Sequence, residues 1–195
     1  MMRIVFATNN ANKMSEVRAM APQVEFVSLK EVGCTEEIPE TGETLEYNSM
    51  EKAAHVRDNY QVDCMSEDTG LEIEALNGRP GVHTAHYGGA QRSADANMSR
   101  VMHELQDVAS RKARFRTVFT LLLDGEEHQF EGICPGRIAI KRSGSDGFGY
   151  DPIFIPDEQE GERTFAEMSQ AEKAAISHRG RGLRKVLDFL SARQA

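Results

Sequence analysis

Acidic side chains occur in two segments, around residue 40 and around residues 67 and 68, whose types could hold a metal. Glu40 lies in the segment IPETG, and Glu67 and Asp68 lie in MSEDTG. The apolar residues before the second pair predict a strand that ends in carboxylates, and open α/β sheets bind ligands at that end of their strands. Such carboxylates suit Mg²⁺, which takes one or two of them together with substrate phosphates. Asp-Thr-Gly is also typical of an ordinary turn, so the sequence favours neither interpretation.

The segment TNNANK, from Thr8 to Lys13, separates a short apolar strand from a helical pattern. A loop at a helix N-terminus presents backbone N–H groups and the positive end of the helix dipole, which together bind phosphate. Asparagine tolerates the left-handed backbone that such loops often need, and Lys13 adds a positive charge. The pattern GxxxxGK[ST] is missing, which excludes a P-loop. The alternative is a set of asparagine caps beside a surface lysine.

A third group combines FGYDP with EKAAISHRG near the end of the chain. If Ser177 caps the last helix, His178 and Arg179 lie in its first turn, where the helix dipole opposes positive charge. An anionic or keto-bearing ligand would explain this placement, and so would a salt bridge to a nearby acid. Phe148 between two glycines is either an exposed ring that stacks on a base or a core residue beside a tight turn.

The elements that must position these residues follow from the apolar periodicity. Strands are predicted over 3–7, 24–29 and 62–70, followed by two long strands joined near Asp124-Gly125. Helices are predicted over 12–21, 45–60 and 93–105, with Ser93 as a cap, and after Ser169, which forms a capping box with Glu172. This order of elements predicts an α/β fold around a mixed sheet.

Composition limits the classes of function. A chain of 195 residues with a net charge of −8 predicts a single domain over 1–195 and argues against nucleic acid as the main partner. No apolar run approaches the length of a membrane span, and no signal segment is evident, so we expect a soluble, cytoplasmic protein without a membrane partner. Cys34, Cys64 and Cys134 are widely spaced and form no CxxC, which indicates neither disulfides nor a zinc site. His83 and His86 lack a partner acid at metal-ligand spacing, and His55, His103 and His128 are likewise assigned to no site.

Four motifs occur in order along the chain, namely FATNNANK, SEDTGLEIEALNGRPGVHTAHY, FGYDPIF and AEKAAISHRGRGL. Together they closely resemble the inosine triphosphate pyrophosphatase family, over nearly the whole chain. The resemblance implies Mg²⁺-dependent hydrolysis of deaminated purine nucleoside triphosphates (ITP, dITP and XTP) to the monophosphate and pyrophosphate. It also implies an elongated mixed sheet flanked by helices, two lobes with a nucleotide cleft between them, and a homodimer.

The resemblance further implies roles for individual residues. Those expected on the triphosphate are Thr8, Asn9, Asn10, Ala11, Asn12 and Lys13. Those expected in the base pocket are Phe148, Gly149, Tyr150, Asp151, Lys173, His178 and Arg179. Glu40 and Asp68 are expected at the metal, with Asp68 also the base for the attacking water and Thr69 nearby on the substrate. Many members have Glu-Asn where this chain has Tyr47-Asn48, so contributions from the Tyr47 region and from Glu67 to the metal site stay open.

The implied reaction is an in-line attack of water on the α-phosphorus, with pyrophosphate as the leaving group. Donors on Arg179 and Lys173 would pair with the 6-keto group of the base. Two other functions remain open: a nucleotide-binding module without turnover, and a general nucleoside triphosphatase that releases the γ-phosphate. The carboxylates argue against the first, and the identity of the products separates the second.

Overall fold

A mixed β-sheet carries the residues singled out above. The computed structural model describes residues 2–194, in which seven strands follow the order β2-β1-β3-β5-β6-β7, with β4 paired to β3. The strands are β1 Met2–Phe6, β2 Val24–Ser28, β3 Cys64–Ile73, β4 Pro80–Gly81, β5 Lys112–Leu123, β6 Glu126–Ile138 and β7 Phe154–Pro156. The helices are α1 Ala11–Met20, α2 Leu45–Tyr60, α3 Ala94–Glu104, α4 Gln170–Ile176 and α5 His178–Gln194. The predicted α/β class with a mixed sheet is confirmed.

The described residues form two compact units. The first unit comprises 2–68, 117–132 and 179–194, and the second comprises 69–116 and 133–178. Strands β3, β5 and β6 contribute residues to both units. The chain therefore changes unit four times, directly after Asp68, Arg116, Gly132 and His178.

In the first unit, β1 pairs in parallel with β2 and with β3. Apolar side chains cover both faces of these strands, as expected for parallel strands buried on both sides. One face packs against α1 and α5 through a cluster that includes Ile4, Phe6, Met14, Val17, Met65, Leu183 and Val186. The other packs against α2 through a cluster that includes Val5, Ala7, Ala53, Val56 and Cys64.

The alternation of β3 continues through its polar residues. Met65 belongs to the face of α1 and α5, whereas Cys64 belongs to the face of α2. Successive side chains of a strand point to opposite faces, so Glu67 lies on the same face as Met65 and Asp68 lies on the same face as Cys64. The two adjacent carboxylates therefore serve different sides of the sheet.

The second unit has its own apolar core. Here β3 pairs with β4 and β6 pairs with β7, both antiparallel. The core is rich in aromatic residues, and the ring centroids of Phe115 and Phe154 lie 4.6 Å apart. Its buried members include Leu71, Tyr87, Val101, Phe115, Tyr150, Phe154 and Phe165.

Most predicted elements match the structure within a few residues. Ser93 caps α3, Ser169 and Glu172 form the predicted capping box of α4, and the two long strands meet at Asp124-Gly125. The prediction that the third strand ends at its carboxylates is wrong. Strand β3 runs on through the Asp-Thr-Gly sequence to Ile73, so the turn interpretation fails as well. Partners on neighbouring helices compensate the charges of Glu67 and Asp68, which lets the strand continue.

Within residues 2–194, no helix combines the length and apolar character required to cross a membrane.

Candidate active site

A buried cluster of opposite charges, here named the guanidinium cluster, comprises Lys13, Glu16, Glu67 and Arg179 of the first unit. Arg179 donates from Nε and Nη2 to the two carboxylate oxygens of Glu67, each at 2.7 Å, and from Nη1 to Glu16 at 2.6 Å. Lys13 Nζ lies 2.9 Å from Glu67 Oε1. Glu67 and Arg179 are 1% and 2% exposed, so this ion pair is almost fully removed from water.

Electrostatics keep Glu67 ionised within this cluster. Burial alone would raise the pKa of Glu67, but Arg179 and Lys13 outweigh it and hold that pKa well below its usual value. Burial likewise opposes the charge of Arg179, and Glu67 and Glu16 overcome it and raise the pKa of the guanidinium. Both oxygens of Glu67 accept from protein cations, which favours an anchoring role over metal binding. This addresses the role of Glu67 that the sequence left open.

The contacts of Arg179 support a salt bridge as the explanation of its position in the first turn of α5. Arg179 is the second residue of α5, as predicted, and its charge is compensated by nearby acids, which matches the salt-bridge interpretation. Lys13 is not a surface lysine, because its side chain is only 17% exposed and pairs with Glu67.

The TNNANK segment is a helix cap. Asn10 is the N-cap of α1, and its side chain accepts from the backbone N–H groups of Asn12 at 3.0 Å and Lys13 at 3.2 Å. Thr8 Oγ1 in turn accepts from the N–H of Asn10 at 3.1 Å. The left-handed backbone that asparagine tolerates is not used here, because Asn10 is extended at φ −85° and no residue from 8 to 13 has a positive φ. An extended N-cap is the ordinary geometry for a side chain that closes a helix.

On the opposite face of β3, Asp68 and Glu40 share one ammonium group. Lys52 Nζ lies 3.1 Å from Asp68 Oδ1 and also bonds Glu40 Oε1. This set, here named the carboxylate–lysine cluster, is largely buried at Lys52 and Asp68 and more open at Glu40, whose side chain is 35% exposed. Two oxygens that converge on one cation are arranged as ligands for a hard divalent metal would be.

The pKa values of this cluster differ from that of Glu67. Burial raises the pKa of Asp68, and the positive charges of Lys52 and Lys13 reduce that effect without cancelling it. Burial opposes the charge of Lys52, but Asp68 and Glu40 outweigh it and raise the pKa of the ammonium. A buried carboxylate with a raised pKa is a common feature of general bases.

Several contacts fix the carboxylate–lysine cluster in place. Thr117 Oγ1 donates to the backbone carbonyl of Asp68 at 3.1 Å. The loop that carries Glu40 is tied to α2, because Thr41 donates from N and Oγ1 to Glu51, both at 2.7 Å, and Gly42 N donates to Asn48 Oδ1 at 2.7 Å. The side chain of Asn48 therefore closes this loop, while Tyr47 points to solvent.

The sequence motifs did not predict Lys52 as a site residue, although the helical pattern of α2 contains a signal for it. The buried positions of α2 include Leu45, Ser49, Lys52, Ala53 and Val56, which recur at helical spacing. A lysine on the buried stripe of an amphipathic helix requires a compensating carboxylate, since lysine is almost never fully buried without one. That argument would have assigned Lys52 to a buried charged site.

In the second unit, Lys173 lies against an aromatic ring and a carboxylate. Its Nζ lies 4.8 Å from the centroid of the half-buried Phe148 ring and donates to Asp151 Oδ2 at 2.6 Å. Asp151 Oδ2 also accepts from the N–H of Phe148 at 2.8 Å, so one carboxylate positions both the ring and the ammonium. We name Phe148, Asp151 and Lys173 the aromatic–lysine cluster.

The backbone of this loop depends on Gly147. Its φ is +74°, and a Cβ added there would lie 2.0 Å from Asp151 Oδ2. Both the left-handed conformation and the close carboxylate therefore require glycine at this position.

Two further residues from the predicted base pocket are buried in the second unit. The Tyr150 hydroxyl donates to the carbonyl of Thr84 at 2.7 Å, and burial raises the pKa of this phenol. The His178 ring stacks on Phe115 with centroids 4.6 Å apart and planes 19° apart. Gly149, which directly precedes Tyr150, adopts a φ of +63°, and Thr69 is half-buried directly after Asp68.

The structure therefore groups the predicted site residues into separate sets. Lys13 and Arg179 meet at Glu67, Glu40 and Asp68 meet at Lys52, and Phe148 and Lys173 meet at Asp151. The first two sets lie in the first unit, and the third lies in the second.

The first unit thus presents two carboxylates of the type that Mg²⁺ binds, and the second presents an ammonium over an aromatic ring. The sequence model of the Ham1 family matches residues 4–189. A protein named dITP/XTP pyrophosphatase from Flavobacterium psychrophilum is 47% identical over 189 residues, which cover 96% of this chain and 98% of the relative. The chain belongs to the Ham1 family, and the family resemblance predicted from the motifs is confirmed.

Solved structures agree with this assignment. A HAM1 protein from Coxiella burnetii has a TM-score of 0.89 at 33% identity, covering 98% of this chain and 100% of that one. The Ham1 protein of Staphylococcus aureus has a TM-score of 0.88 at 32% identity, covering 98% and 99%.

Proposed function

We propose that the protein hydrolyses deaminated purine nucleoside triphosphates, namely ITP, dITP and XTP, to the nucleoside monophosphate and pyrophosphate. The observation that carries the proposal is the convergence of Glu40 and Asp68 on Lys52, in a chain whose relatives are named dITP/XTP pyrophosphatases. The geometry supports an oxygen-ligand site at the carboxylates expected to hold the metal.

Glu40 and Asp68 fit Mg²⁺ by their chemistry. Both offer carboxylate oxygens, both are oriented toward one positive charge, and Glu40 remains accessible to solvent. Mg²⁺ takes oxygen ligands and keeps positions for water and phosphate. When bound, the ion would neutralise charge on the phosphates and orient them.

Asp68 is proposed as the base that takes a proton from the attacking water. Its raised pKa favours proton uptake, and the positive charges of Lys52 and Lys13 limit that rise. Thr117 fixes the backbone of Asp68, so the carboxylate is held in position before the substrate arrives. Thr69, the next residue, is proposed to contact the substrate.

The triphosphate is proposed to bind at Thr8 to Lys13. The Asn10 cap sets the start of α1, so the positive end of the helix dipole lies at this segment, and Lys13 supplies a full charge there. Glu67 holds the Lys13 ammonium beside α1 through the 2.9 Å ion pair. Positioning and charge neutralisation account for most of the catalysis of phosphoryl transfer.

The aromatic–lysine cluster is proposed to bind the purine, with Phe148 as a stacking surface and Lys173 as a donor to the 6-keto group. Gly149, Tyr150, Asp151 and His178 shape this region. Adenine presents a 6-amino group and would leave the donor without a partner, a mismatch that costs about 1–3 kcal/mol and more for a charged group. Guanine shares the keto group, so its rejection requires that the pocket offer its 2-amino group no acceptor.

Arg179 is also proposed to contact the substrate. Its contacts to Glu67 and Glu16 favour Lys173 over Arg179 as the direct donor to the base. Arg179 would then act at the phosphate side, together with Lys13.

The decisive experiment identifies the products and the bond that breaks. The protein is incubated with ITP and Mg²⁺ in ¹⁸O-labelled water, the products are separated, and their masses are measured by mass spectrometry. The proposal predicts unlabelled pyrophosphate and IMP that carries one ¹⁸O, since water attacks the α-phosphorus. Labelled phosphate with IDP would indicate a general triphosphatase, and bound but intact ITP would indicate a binding module.

Residues 1–195 are proposed to act as one functional domain, because neither unit alone contains all the proposed substrate residues. The homodimer and the cytoplasmic location are proposed from the family resemblance. Light scattering coupled to size exclusion tests the dimer, and fractionation of the source cells tests the location.

A further inference from the structure

A second group of metal-type ligands lies in the first unit and plays no part in the proposed reaction. Cys34, Glu36 and His55 bring a thiol, a carboxylate and an imidazole together, with the ligand atoms all within 4.8 Å of one another. Among residues 2–194, this is the only set of three such side chains that meets this distance. The proposed Mg²⁺ site, in contrast, uses oxygen ligands alone.

The fold brings these residues together from two segments. Cys34 and Glu36 lie in the loop between β2 and α2, and His55 lies on α2. Cys34 N donates to the carbonyl of Leu29 at 3.0 Å, and the Cys34 side chain is buried in the cluster that packs on α2. The loop is therefore held against the helix at the level of His55.

Polar contacts already orient the carboxylate and the imidazole. Glu36 Oε1 lies 3.2 Å from His55 Nε2, so both ligands face the same point. The Tyr60 hydroxyl lies 2.8 Å from Oε1 and 3.0 Å from Oε2 of Glu36, and the Asn59 amide lies 3.5 Å from His55 Nδ1. Residues that orient metal ligands through such contacts commonly strengthen metal binding about 10-fold to 100-fold.

The ligand types select the metal. A thiolate and an imidazole are poor ligands for Mg²⁺ and Ca²⁺, which prefer oxygen, whereas Zn²⁺ binds sulfur, nitrogen and carboxylate oxygen in a tetrahedral arrangement. Three protein ligands would leave one position for water. We propose that Cys34, Glu36 and His55 form a binding site for Zn²⁺ that is separate from the catalytic metal site.

The position of this site gives it a structural consequence. His55 lies one helical turn after Lys52 on α2, and Glu36 lies in the same loop as Glu40. Bound Zn²⁺ would therefore cross-link the loop and the helix that carry two members of the carboxylate–lysine cluster. Binding would release the Cys34 thiol proton to solvent as the thiolate coordinates the ion.

The test measures metal binding without nucleotide, so its result does not depend on the proposed enzymatic function. The full chain is stripped of metal and titrated with Zn²⁺ against a chromophoric chelator, with excess Mg²⁺ present to occupy oxygen-only sites. We expect about one Zn²⁺ per chain, with Cys34→Ser and His55→Gln each weakening binding at least 100-fold and Tyr60→Phe weakening it about 10-fold. Cys134→Ser and His103→Gln serve as matched controls and should bind like the parent protein.

Replacing Zn²⁺ by Co²⁺ gives a second readout. A thiolate-to-cobalt charge-transfer absorption should appear in the parent protein and in His103→Gln, and it should disappear in Cys34→Ser. Circular dichroism checks the fold of each variant, and the less buried His55→Gln keeps the test valid if Cys34→Ser fails to fold. Absence of Zn²⁺ binding, a missing cobalt band, or unchanged affinity in His55→Gln would overturn the proposal.

Discussion

The two units handle charge in different ways. In the first unit, Glu67 and Asp68 each meet lysine or arginine side chains supplied by helices on opposite faces of β3. In the second, a single ammonium is shared between the Asp151 carboxylate and the Phe148 ring. With Mg²⁺ bound at Glu40 and Asp68, the first arrangement would suit a ligand with many negative charges, whereas the second suits a flat ring with one polar edge. Under the proposed function, the first unit would contact the phosphates and the second would contact the purine.

The largest effect is expected from Asp68→Asn. Loss of the proposed metal ligand and base should lower kcat by at least a few hundredfold, on the scale of general-base loss. Pyrophosphate release from ITP measures the effect, with the exposed Asp58→Asn on α2 as a control of equal chemistry. Near-normal turnover in a folded Asp68→Asn protein would show that the carboxylate–lysine cluster is not the catalytic centre.

Glu67→Gln should affect stability as much as activity. Removing one partner of a buried ion pair costs about 3–5 kcal/mol, because Arg179 would lose its bidentate partner. Since the pKa of Glu67 is held below 4.5, its stabilisation is present above pH 4.5 and is lost as the pH falls through the lower folded value. The contribution of Asp68 to stability has the opposite pH dependence. Because the pKa of Asp68 is raised, this contribution is present below pH 3.8, its ordinary pKa, and is lost as the pH rises through the folded pKa.

Urea denaturation from about pH 7 to about pH 3 measures this difference. The parent protein should lose more stability on acidification than Glu67→Gln does. Parallel curves for the two proteins would mean that the guanidinium cluster does not govern acid stability.

Lys13→Met and Lys173→Met remove one ammonium from each unit and provide the most direct comparison. Each should lower kcat/KM for ITP about 10-fold to 100-fold, as expected for a lost charged hydrogen bond. Lys13→Met should reduce hydrolysis of ITP, XTP and ATP by similar factors, because phosphates are common to all three. Lys173→Met should narrow the ratio of ITP to ATP. If the loss of kcat/KM in Lys13→Met depended on which purine the substrate carries, Lys13 would belong to the purine site, and the assignment of phosphate binding to the first unit would be wrong.

The smallest effects are expected at two helix caps, Thr44→Ala for α2 and Ser169→Ala for α4. Each cap accepts a backbone N–H, and each substitution should cost about 1 kcal/mol of unfolding free energy. The caps position helices that carry Lys52 and Lys173, but they involve no buried charge. Equal losses of unfolding free energy in the two variants, measured by urea denaturation, would show that helix capping contributes equally in the two units. The contrast between the units would then lie in their charged clusters.

Local signals were sufficient to predict most of the elements. Ser93, the Ser169–Glu172 capping box and the Asp124-Gly125 turn act within a few residues, and each was found in the sequence. The course of β3 beyond Asp68 could not be predicted, because its polar residues are stabilised by Lys13, Lys52 and Arg179 from distant parts of the chain. The same reason hides the grouping of Cys34 and Glu36 with His55, which lies 19 residues after Glu36 on another element.

The placement of Glu67 and Asp68 on opposite faces of β3 affects which mutations the gene can tolerate. Substitutions elsewhere in the strand leave each carboxylate on its own side. Deletion of one codon upstream in the strand would reverse the alternation, so that Glu67 would face α2 and Asp68 would face α1 and α5. Insertion or deletion of a single residue in β3 upstream of Glu67 should therefore abolish activity even where every acidic residue is retained. Selection thus acts on the spacing of residues along this strand as well as on their types.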